Sequence, residues 1–562
     1  MPLLELLASP PGTGKTFHCI ELFREKILTA KSGIESSSFF ILPSREHADR
    51  IQNIILKKEI PGLFNAHILT INDLAERLIG FSAAAYPTDA VRRSIVASVL
   101  DETGVFEAVR DLKGFRHLLL DALKEFKQSH LGIAEFESRC QPLLKEASFR
   151  LKFRDFSVFL KNYTERLKRL GLTEPEDDSF AFFSGNRKPA SPLDLLIFDG
   201  FYHFTRAQRT LLASAARWSS HMIVTLTFPA DKDRQKSLFE YPERTRDFLI
   251  SIGFREKKKL IQNKRTADPA LKHLETNLFL KKPCAYPRGV SSIRILEASD
   301  PRGEIELIAR EIRRLYREED IHYSDMCVIL RSIEGKKRVI ESVFSGFEIP
   351  FFIHEREKLI EKGMALTLYR FLNLVREGWK REDLFYFLKS SYLAQEVFPD
   401  DVLALERLSL GRRVLEGKAA WLEAVESGPD PDARRALFAA IDLEKSLLSC
   451  ATPAEAVKAF RGLFNRLFSG ARDSRDEPVR QALDDLLKSA ESLYRRNPSR
   501  RYSAEEFLSE FQESLEHALF SLKPAGRNRV QVYDIVMALP KEYKTVFVSG
   551  LLEDTFPRQS QE

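Results

Sequence analysis

The period of the apolar positions changes several times along this chain, and the changes divide it. Residues 3–8 form an apolar run, residues 9–16 read Ser-Pro-Pro-Gly-Thr-Gly-Lys-Thr, and a helix-forming run covers 17–28. A strand pattern at 39–42 ends at Pro43. Ser44-Arg45-Glu46 then opens a helical pattern through Leu56, with Ser44 placed to cap it. A further strand pattern covers 67–70, and Asn72 or Asp73 is the expected cap of the helix after it. Short strands alternating with helices at this spacing predict a parallel sheet. From about 83 to 187 only the helical period remains. Phe115, Leu119, Leu123 and Phe126 fall on one face, with Asp121, Lys124 and Glu125 off it. Strand patterns return at 195–198, ending in Asp199-Gly200, and at 222–226.

The second half repeats this alternation. Ile293-Arg294-Ile295-Leu296 reads as a strand, Ile305, Ile308, Ile312 and Leu315 as the buried face of a helix, and 326–330 as a strand ending at Arg331. Helical periodicity dominates from about 355 to 521, broken by polar loops at 469–478 and 495–501, and strand patterns resume at 530–533 and 545–549. The predicted fold class is α/β: two nucleotide-fold domains, each interrupted by an all-helical insertion. The expected boundaries are 1–82 and 189–290 for the first domain around an insertion at 83–188, then 291–354 and 528–562 for the second around an insertion at 355–527.

Composition narrows the picture without choosing a function. The chain has 562 residues, too many for one core. Its 87 basic and 81 acidic residues give a net charge of +6, which permits nucleic-acid binding through a local basic groove but does not demand it. Cys19, Cys140, Cys284, Cys327 and Cys450 are scattered with no C-x-x-C pair, so neither a disulfide framework nor a zinc site is expected, and a reducing cytoplasm fits. No apolar run of about 18 residues exists, so no membrane span is expected. The glycine-rich stretch begins so near Met1 that a signal peptide is not expected either. The basic stretch at 254–265 reads as a solvated surface loop.

The candidate chemistry starts at Ser9-Pro10-Pro11-Gly12-Thr13-Gly14-Lys15-Thr16. Strand, glycine turn, Lys-Thr and helix make up a phosphate-binding loop. Gly12 and Gly14 allow the tight turn that points backbone N–H groups at a triphosphate, and the helix after it adds its positive dipole end. The Lys15 ammonium can reach the β- and γ-phosphates, and the Thr16 hydroxyl can ligate Mg2+. Ser9 stands where the usual first glycine would be. Asp199, at the end of an apolar strand, reads either as a magnesium-holding acid or as half of an Asp-Gly turn.

These motifs resemble superfamily 1 helicases of the UvrD type and, more closely, the AddB subunits of AddAB helicase–nucleases. The resemblance rests on Gly12 to Thr16, Ile68-Leu69-Thr70-Ile71-Asn72-Asp73-Leu74, Asp199-Gly200-Phe201-Tyr202-His203-Phe204-Thr205, Val328-Ile329-Leu330-Arg331-Ser332, Phe347-Glu348-Ile349-Pro350-Phe351-Phe352 and Val546-Phe547-Val548-Ser549-Gly550-Leu551 with Phe556-Pro557. It implies two RecA-like domains and binding of ATP with Mg2+ at residues 9–16. Asp199 and Thr16 would hold the metal and Arg331 would reach the γ-phosphate; a surface position for Arg331 stays open.

Helicases carry Glu after the Walker B Asp; here Gly200 stands there, which implies slow hydrolysis and no assigned catalytic residue. The third motif is replaced by Val224-Thr225-Leu226-Thr227-Phe228-Pro229, and the fifth is eroded at Val536-Met537-Ala538-Leu539-Pro540-Lys541. Ser44, Arg45 and Thr70 match positions that contact single-stranded DNA, with helix caps and surface ion pairs as the alternative. The basic loop at 495–501 reads as a contact for duplex DNA or as a solvated loop.

The resemblance further implies DNA ends as ligand, an AddA-type partner subunit and no membrane. The last helicase motif and an iron–sulfur nuclease domain would lie past Glu562, so no nuclease activity is assigned to these residues. The resulting expectation is a DNA-repair subunit with weak or lost motor activity. An active ATP-dependent helicase and a nucleotide-gated scaffold without DNA binding stand as alternatives.

Overall fold

The structure is a computed structural model. It describes residues 2–29, 37–57, 67–80, 86–87, 89–110, 112–185, 188–189, 193–228, 236–257, 264–355, 357–393, 397–428, 430–468, 476–496, 502–520, 528–535, 542–553 and 555–556. Parts of the expected loops, at 258–263, 469–475 and 497–501, and the eroded fifth motif at 536–541 lie outside these residues. The chain is α/β with parallel sheets and forms two compact units. One comprises Met1–Ala84, Thr103–Lys168 and Thr173–Glu297, the other Ala85–Glu102, Arg169–Leu172 and Ala298–Glu562.

The first unit holds six strands, β1 (Leu3–Ser9), β2 (Ser38–Leu42), β3 (His67–Thr70), β4 (Leu193–Phe198), β5 (Ser219–Thr227) and β6 (Arg255–Glu256), in the order β3-β2-β4-β5-β1-β6. All neighbours are parallel, with Leu6 opposite Val224 and Ile41 opposite Phe198. Alternation along each strand feeds two cores, as a sheet covered on both faces requires. Leu4, Leu6, Ala8, Phe39, Ile41, Leu196 and Phe198 face one core with helices Arg206–Trp218 and Glu240–Ser251. Leu7, Phe40, Leu42, Leu195 and Ile197 face the other, against Cys19, Ile20 and Phe23 of α1 (Lys15–Thr29) and Ala48, Ile51 and Ile55 of α2 (Arg45–Lys57). Phe23 and Phe40 are fully buried and meet edge to face at 5.5 Å; each such ring contributes about 1.5–3 kcal/mol by burial.

Between β3 and β4 the regular elements among the described residues are helical. α3 (Ile71–Ile79) is capped by Thr70, not by Asn72 or Asp73. The Thr70 hydroxyl accepts from the Asp73 N–H, and the Asp73 carboxylate accepts from the Thr70 N–H, a reciprocal capping box. The expected apolar face of the helix Lys113–Gln128 is present, with Leu119, Leu123 and Phe126 buried.

The second unit has a four-stranded parallel sheet, β7 (Met326–Leu330), β8 (Phe351–His354), and, after the short antiparallel pair β9 (Glu357–Lys358) and β10 (Leu519–Phe520), β11 (Val530–Asp534) and β12 (Thr545–Ser549), in the order β12-β7-β11-β8. Helices Pro301–Glu318 and Lys337–Gly346 cover one face through Ile305, Ile308, Ile312, Ile340 and Phe344. Between β9 and β10, the described residues form a run of helices from Gly363–Arg376 to Ala504–His517. The strand expected at 293–296 does not form. Ile295 is 95% exposed, and the segment pairs with no described strand. Alternation marks a segment able to join a sheet but cannot supply the neighbouring edge whose N–H and C=O groups it needs. Among the described residues no helix is long and apolar enough to cross a membrane.

Candidate nucleotide-binding site

The phosphate-binding loop leaves β1 at the carboxyl edge of the six-stranded sheet and enters α1 at Lys15. Gly12 and Gly14 adopt φ of 74° and 86°, a conformation in which a Cβ is strained, so both glycines are required by the turn. The loop is pinned from within, because the Thr13 hydroxyl donates to the Pro10 carbonyl at 2.9 Å. The Ser9 carbonyl accepts from the Phe228 N–H at 3.1 Å, which ties the loop to the end of β5.

Lys15 is buried, and its ammonium turns back to donate to the carbonyls of Ser9 (2.8 Å) and Pro10 (2.7 Å). Burial pulls its pKa down to about 8; the Asp199 carboxylate opposes the fall and the Arg265 charge adds to it. A buried ammonium resting on two neutral carbonyls is a cation without an anionic partner at hand, and phosphate oxygens are the acceptors that would restore its full charge. The first turn of α1 carries no acidic residue, so its positive end is left for a ligand.

Asp199 follows β4, two strands from β1, and is buried. Its N–H donates to the Ile41 carbonyl at 3.1 Å, and its Oδ1 accepts from the Thr225 hydroxyl at 2.5 Å. Thr225 stands on β5, the strand between β1 and β4, so this hydroxyl fixes the carboxylate relative to the loop strand. A lone carboxylate and the exposed Thr16 hydroxyl suit a magnesium ion that takes its remaining ligands from phosphate and water. Among the described residues no group of three or more His, Cys, Asp or Glu side chains is placed to hold a metal by itself.

Gly200 has φ of 82°, and a Cβ there would lie 3.5 Å from the Pro43 ring. A glutamate at this position would therefore be strained in the present backbone as well as absent from the sequence.

Ser44 and Arg45 sit beside this turn, at the start of α2. The Ser44 hydroxyl caps α2 through the His47 N–H and meets His47 Nδ1 at 2.6 Å. Burial, and then the Arg50 charge, hold the imidazole of His47 below its usual pKa, with Asp199 pulling the other way. Arg45 is exposed and forms long ion pairs of 3.7 Å with Asp49 and Asp73. The Thr70 hydroxyl is engaged in its capping box. Arg331 follows β7 in the second unit and is exposed.

The segment 254–265, expected as a solvated loop, is corrected at both ends. Arg255 and Glu256 form β6, and Lys257 pairs with Glu5 at 2.9 Å. Beyond 258–263, the Lys264 N–H donates to the Gly12 carbonyl at 2.8 Å, and the Lys264 stem lies 3.6 Å from where a Gly14 Cβ would be. Two cations, Lys264 and Arg265, thus stand at the phosphate loop. The sequence signal was the Lys-Arg pair itself, but nothing in its spacing says that the chain returns to the loop. Thr225 was also missed; its signal was the one hydroxyl within the apolar run 222–226.

Residues 254–390 match the UvrD-like helicase C-terminal domain. With the phosphate-loop sequence, this gives the chain a region similar to UvrD-like helicases beside a P-loop motif. Residues 7–275 match the N-terminal region of AddB, and the chain is AddB-like.

It is 26% identical to an ATP-dependent helicase/deoxyribonuclease subunit of Natranaerobius thermophilus, over 70% of this chain and 36% of that protein. Proteins of the same name from Clostridium novyi (23% identical; 74% of this chain, 38% of the relative) and Staphylococcus carnosus (23%; 97% and 51%) are also similar. The chain therefore spans about a third to a half of the length of these relatives.

Proposed function

We propose that this chain is a helicase-like subunit of a helicase–nuclease that processes DNA double-strand breaks for repair and recombination. It binds ATP with Mg2+ at residues 9–16, Thr16 and Asp199, and holds single-stranded DNA, reached from duplex ends, at Ser44, Arg45 and Thr70. Its architecture is two RecA-like domains with helical insertions, at the boundaries expected from the sequence. Lys264 and Arg265 join Lys15 in neutralising the triphosphate, and Arg331 serves the γ-phosphate from the second domain. An AddA-type subunit is its partner, in the cytoplasm. The observation that carries this reading is Lys15, buried on a left-handed glycine turn with the Asp199–Thr225 pair fixed two strands away.

The protein residues bind and orient; bound magnesium would supply charge stabilisation on the phosphates. No residue at position 200 orients an attacking water, so nucleotide is held far longer than it is turned over. Calorimetric titration with Mg-ATP, followed by a steady-state ATPase assay with single-stranded DNA, tests this. Saturable binding with slow turnover is expected. Turnover in the ordinary enzyme range of about 1–1000 per second would identify an active motor, and absence of nucleotide binding would remove the reading.

A further inference from the structure

Away from the phosphate loop, the first unit carries a second place where charged groups converge. The turn after β4 runs through Tyr202 and His203 to the helix Arg206–Trp218, capped by Thr205 and Gln208. That helix turns Arg206, Arg209, Thr210 and Arg217 toward Ser184 and Phe248 around a cavity of about 420 Å3. Among the described residues lining it, none is a carboxylate. Arg217 is occupied, because it donates to the Ser214 hydroxyl at 2.8 Å, which in turn donates to the Phe183 carbonyl at 2.6 Å. Arg206 shares Glu135 with Arg139, so two guanidinium groups rest on one carboxylate and a net positive charge remains.

Arg209 differs from both. Its guanidinium lies 5.4 Å from the Phe248 ring centroid, and its buried Nε has no hydrogen-bond partner in the protein. His203 Nδ1 is likewise buried without a partner. Burial, then the Arg209 charge, hold this imidazole below its usual pKa, which fits a neutral ring beside a cation. Arg209 lines the carboxylate-free cavity, and its charge reaches His203. Buried polar groups left unpaired are uncommon and costly, and this pair indicates a partner supplied from outside.

The surroundings indicate which partner. The Tyr202 and Tyr241 rings flank His203 at 4.6 Å and 5.7 Å, and both tyrosines are more than half exposed. Thr245, fully buried, donates to both of their backbone carbonyls, 3.4 Å to Tyr202 and 2.9 Å to Tyr241, and so holds the two chain segments together. Exposed aromatic faces beside guanidinium groups are the elements of single-strand recognition: guanidinium forks match phosphate oxygens, and every base has a face to stack. An acidic peptide would use the arginines but has no comparable use for two exposed rings.

We propose that the surface formed by Arg206, Arg209, Tyr202, His203 and Tyr241 binds a single strand of nucleic acid, with phosphates on the guanidinium groups and a base on the tyrosine rings. This site is separate in sequence from Ser44, Arg45 and Thr70, and it rests on the reading of the chain as a single-strand-binding protein.

The test is fluorescence anisotropy with a labelled oligothymidylate and an abasic strand of equal length, each over a series of salt concentrations. Arg209→Gln should weaken binding of both strands and flatten the salt slope by about 0.7, the value for one phosphate contact on a single strand. Arg209→Lys should recover the slope. The double variant Tyr202→Ala/Tyr241→Ala should keep the slope but lose about fivefold or more of the preference for the base-bearing strand. These tyrosines are exposed, so this arm does not depend on the fold tolerating a change at Arg209.

If the wild type binds and Arg45→Ala weakens it, while the Arg209 and tyrosine variants match the wild type, this site is wrong and the strand runs elsewhere. If an acidic peptide competes and the abasic strand binds as well as the oligothymidylate, the surface takes a protein segment and the proposal is overturned. If the wild type binds no oligonucleotide at low salt, single-strand binding itself fails, and this site with it.

Discussion

Both units of this protein contain an all-parallel sheet, yet the two carboxyl edges are finished differently. In the first unit the chain leaves β1 through two left-handed glycines into a helix with no acidic residue in its first turn, and a buried lysine rests only on carbonyls. In the second unit the chain leaves β12 through a left-handed glycine as well. There the Gly550 N–H is already given to the Glu304 carboxylate at 2.6 Å, and the Lys336 ammonium crowds the position a Cβ would take. Glu304 lies in the first turn of Pro301–Glu318, whose N-terminus is also filled by Asp300, accepting from the N–H groups of Arg302 and Gly303. Parallel topology supplies an edge where ligands bind, but turn chemistry decides whether that edge is open to an anion or closed by the protein's own carboxylates.

The largest effect should come from Lys15→Ala. Losing a cation aimed at phosphate removes charged hydrogen bonds worth about 1.5–3 kcal/mol each, so nucleotide affinity should fall about 100-fold by calorimetry with the melting temperature little changed. Equal affinity in wild type and variant would erase the contrast between the two edges.

Thr225→Val comes next. It keeps the shape but leaves the buried Asp199 carboxylate without its hydroxyl donor, a cost of about 1–3 kcal/mol in unfolding free energy. Urea unfolding checks it, and an unchanged midpoint would mean that Asp199 is satisfied by other groups.

A pH dependence follows from the Lys15 pKa of about 8 in the free protein. A phosphate partner raises that pKa, so binding must take up a proton wherever the free lysine is deprotonated. Affinity should be level below about pH 7 and fall above pH 8, approaching about tenfold per pH unit. Titrations in buffers of different ionisation enthalpy should show proton uptake near pH 9 that Lys15→Ala abolishes. No uptake would mean that Lys15 is charged throughout.

The smallest effect should follow Arg331→Ala. This exposed side chain just past β7 should change unfolding free energy by no more than about 0.5 kcal/mol. If it serves the γ-phosphate, the variant should lower ATP affinity relative to ADP while ADP affinity stays level. An equal loss for both nucleotides would assign it elsewhere.

Sequence by itself determined a good deal here. The apolar runs at 3–8, 39–42 and 195–198 named the strands, since alternate residues of each split between two cores. The glycines at 12 and 14 named the turn, because their backbone conformation is strained for a residue with a Cβ. Tertiary structure decided what local pattern cannot carry. Ile293-Arg294-Ile295-Leu296 has strand character and no strand, because pairing depends on an edge elsewhere in the chain.

The caps show the same division at short range. Thr70 rather than its neighbours caps α3, because capping depends on which side chain the incoming backbone aims at the free N–H groups. Thr225 and Lys264 join the site across 26 and 252 residues from Asp199 and Gly12. A hydroxyl on a middle strand and a lysine after an edge strand acquire their roles only when strand order places them beside the loop. Strand order is set by packing across both faces of the sheet, and no single segment encodes it.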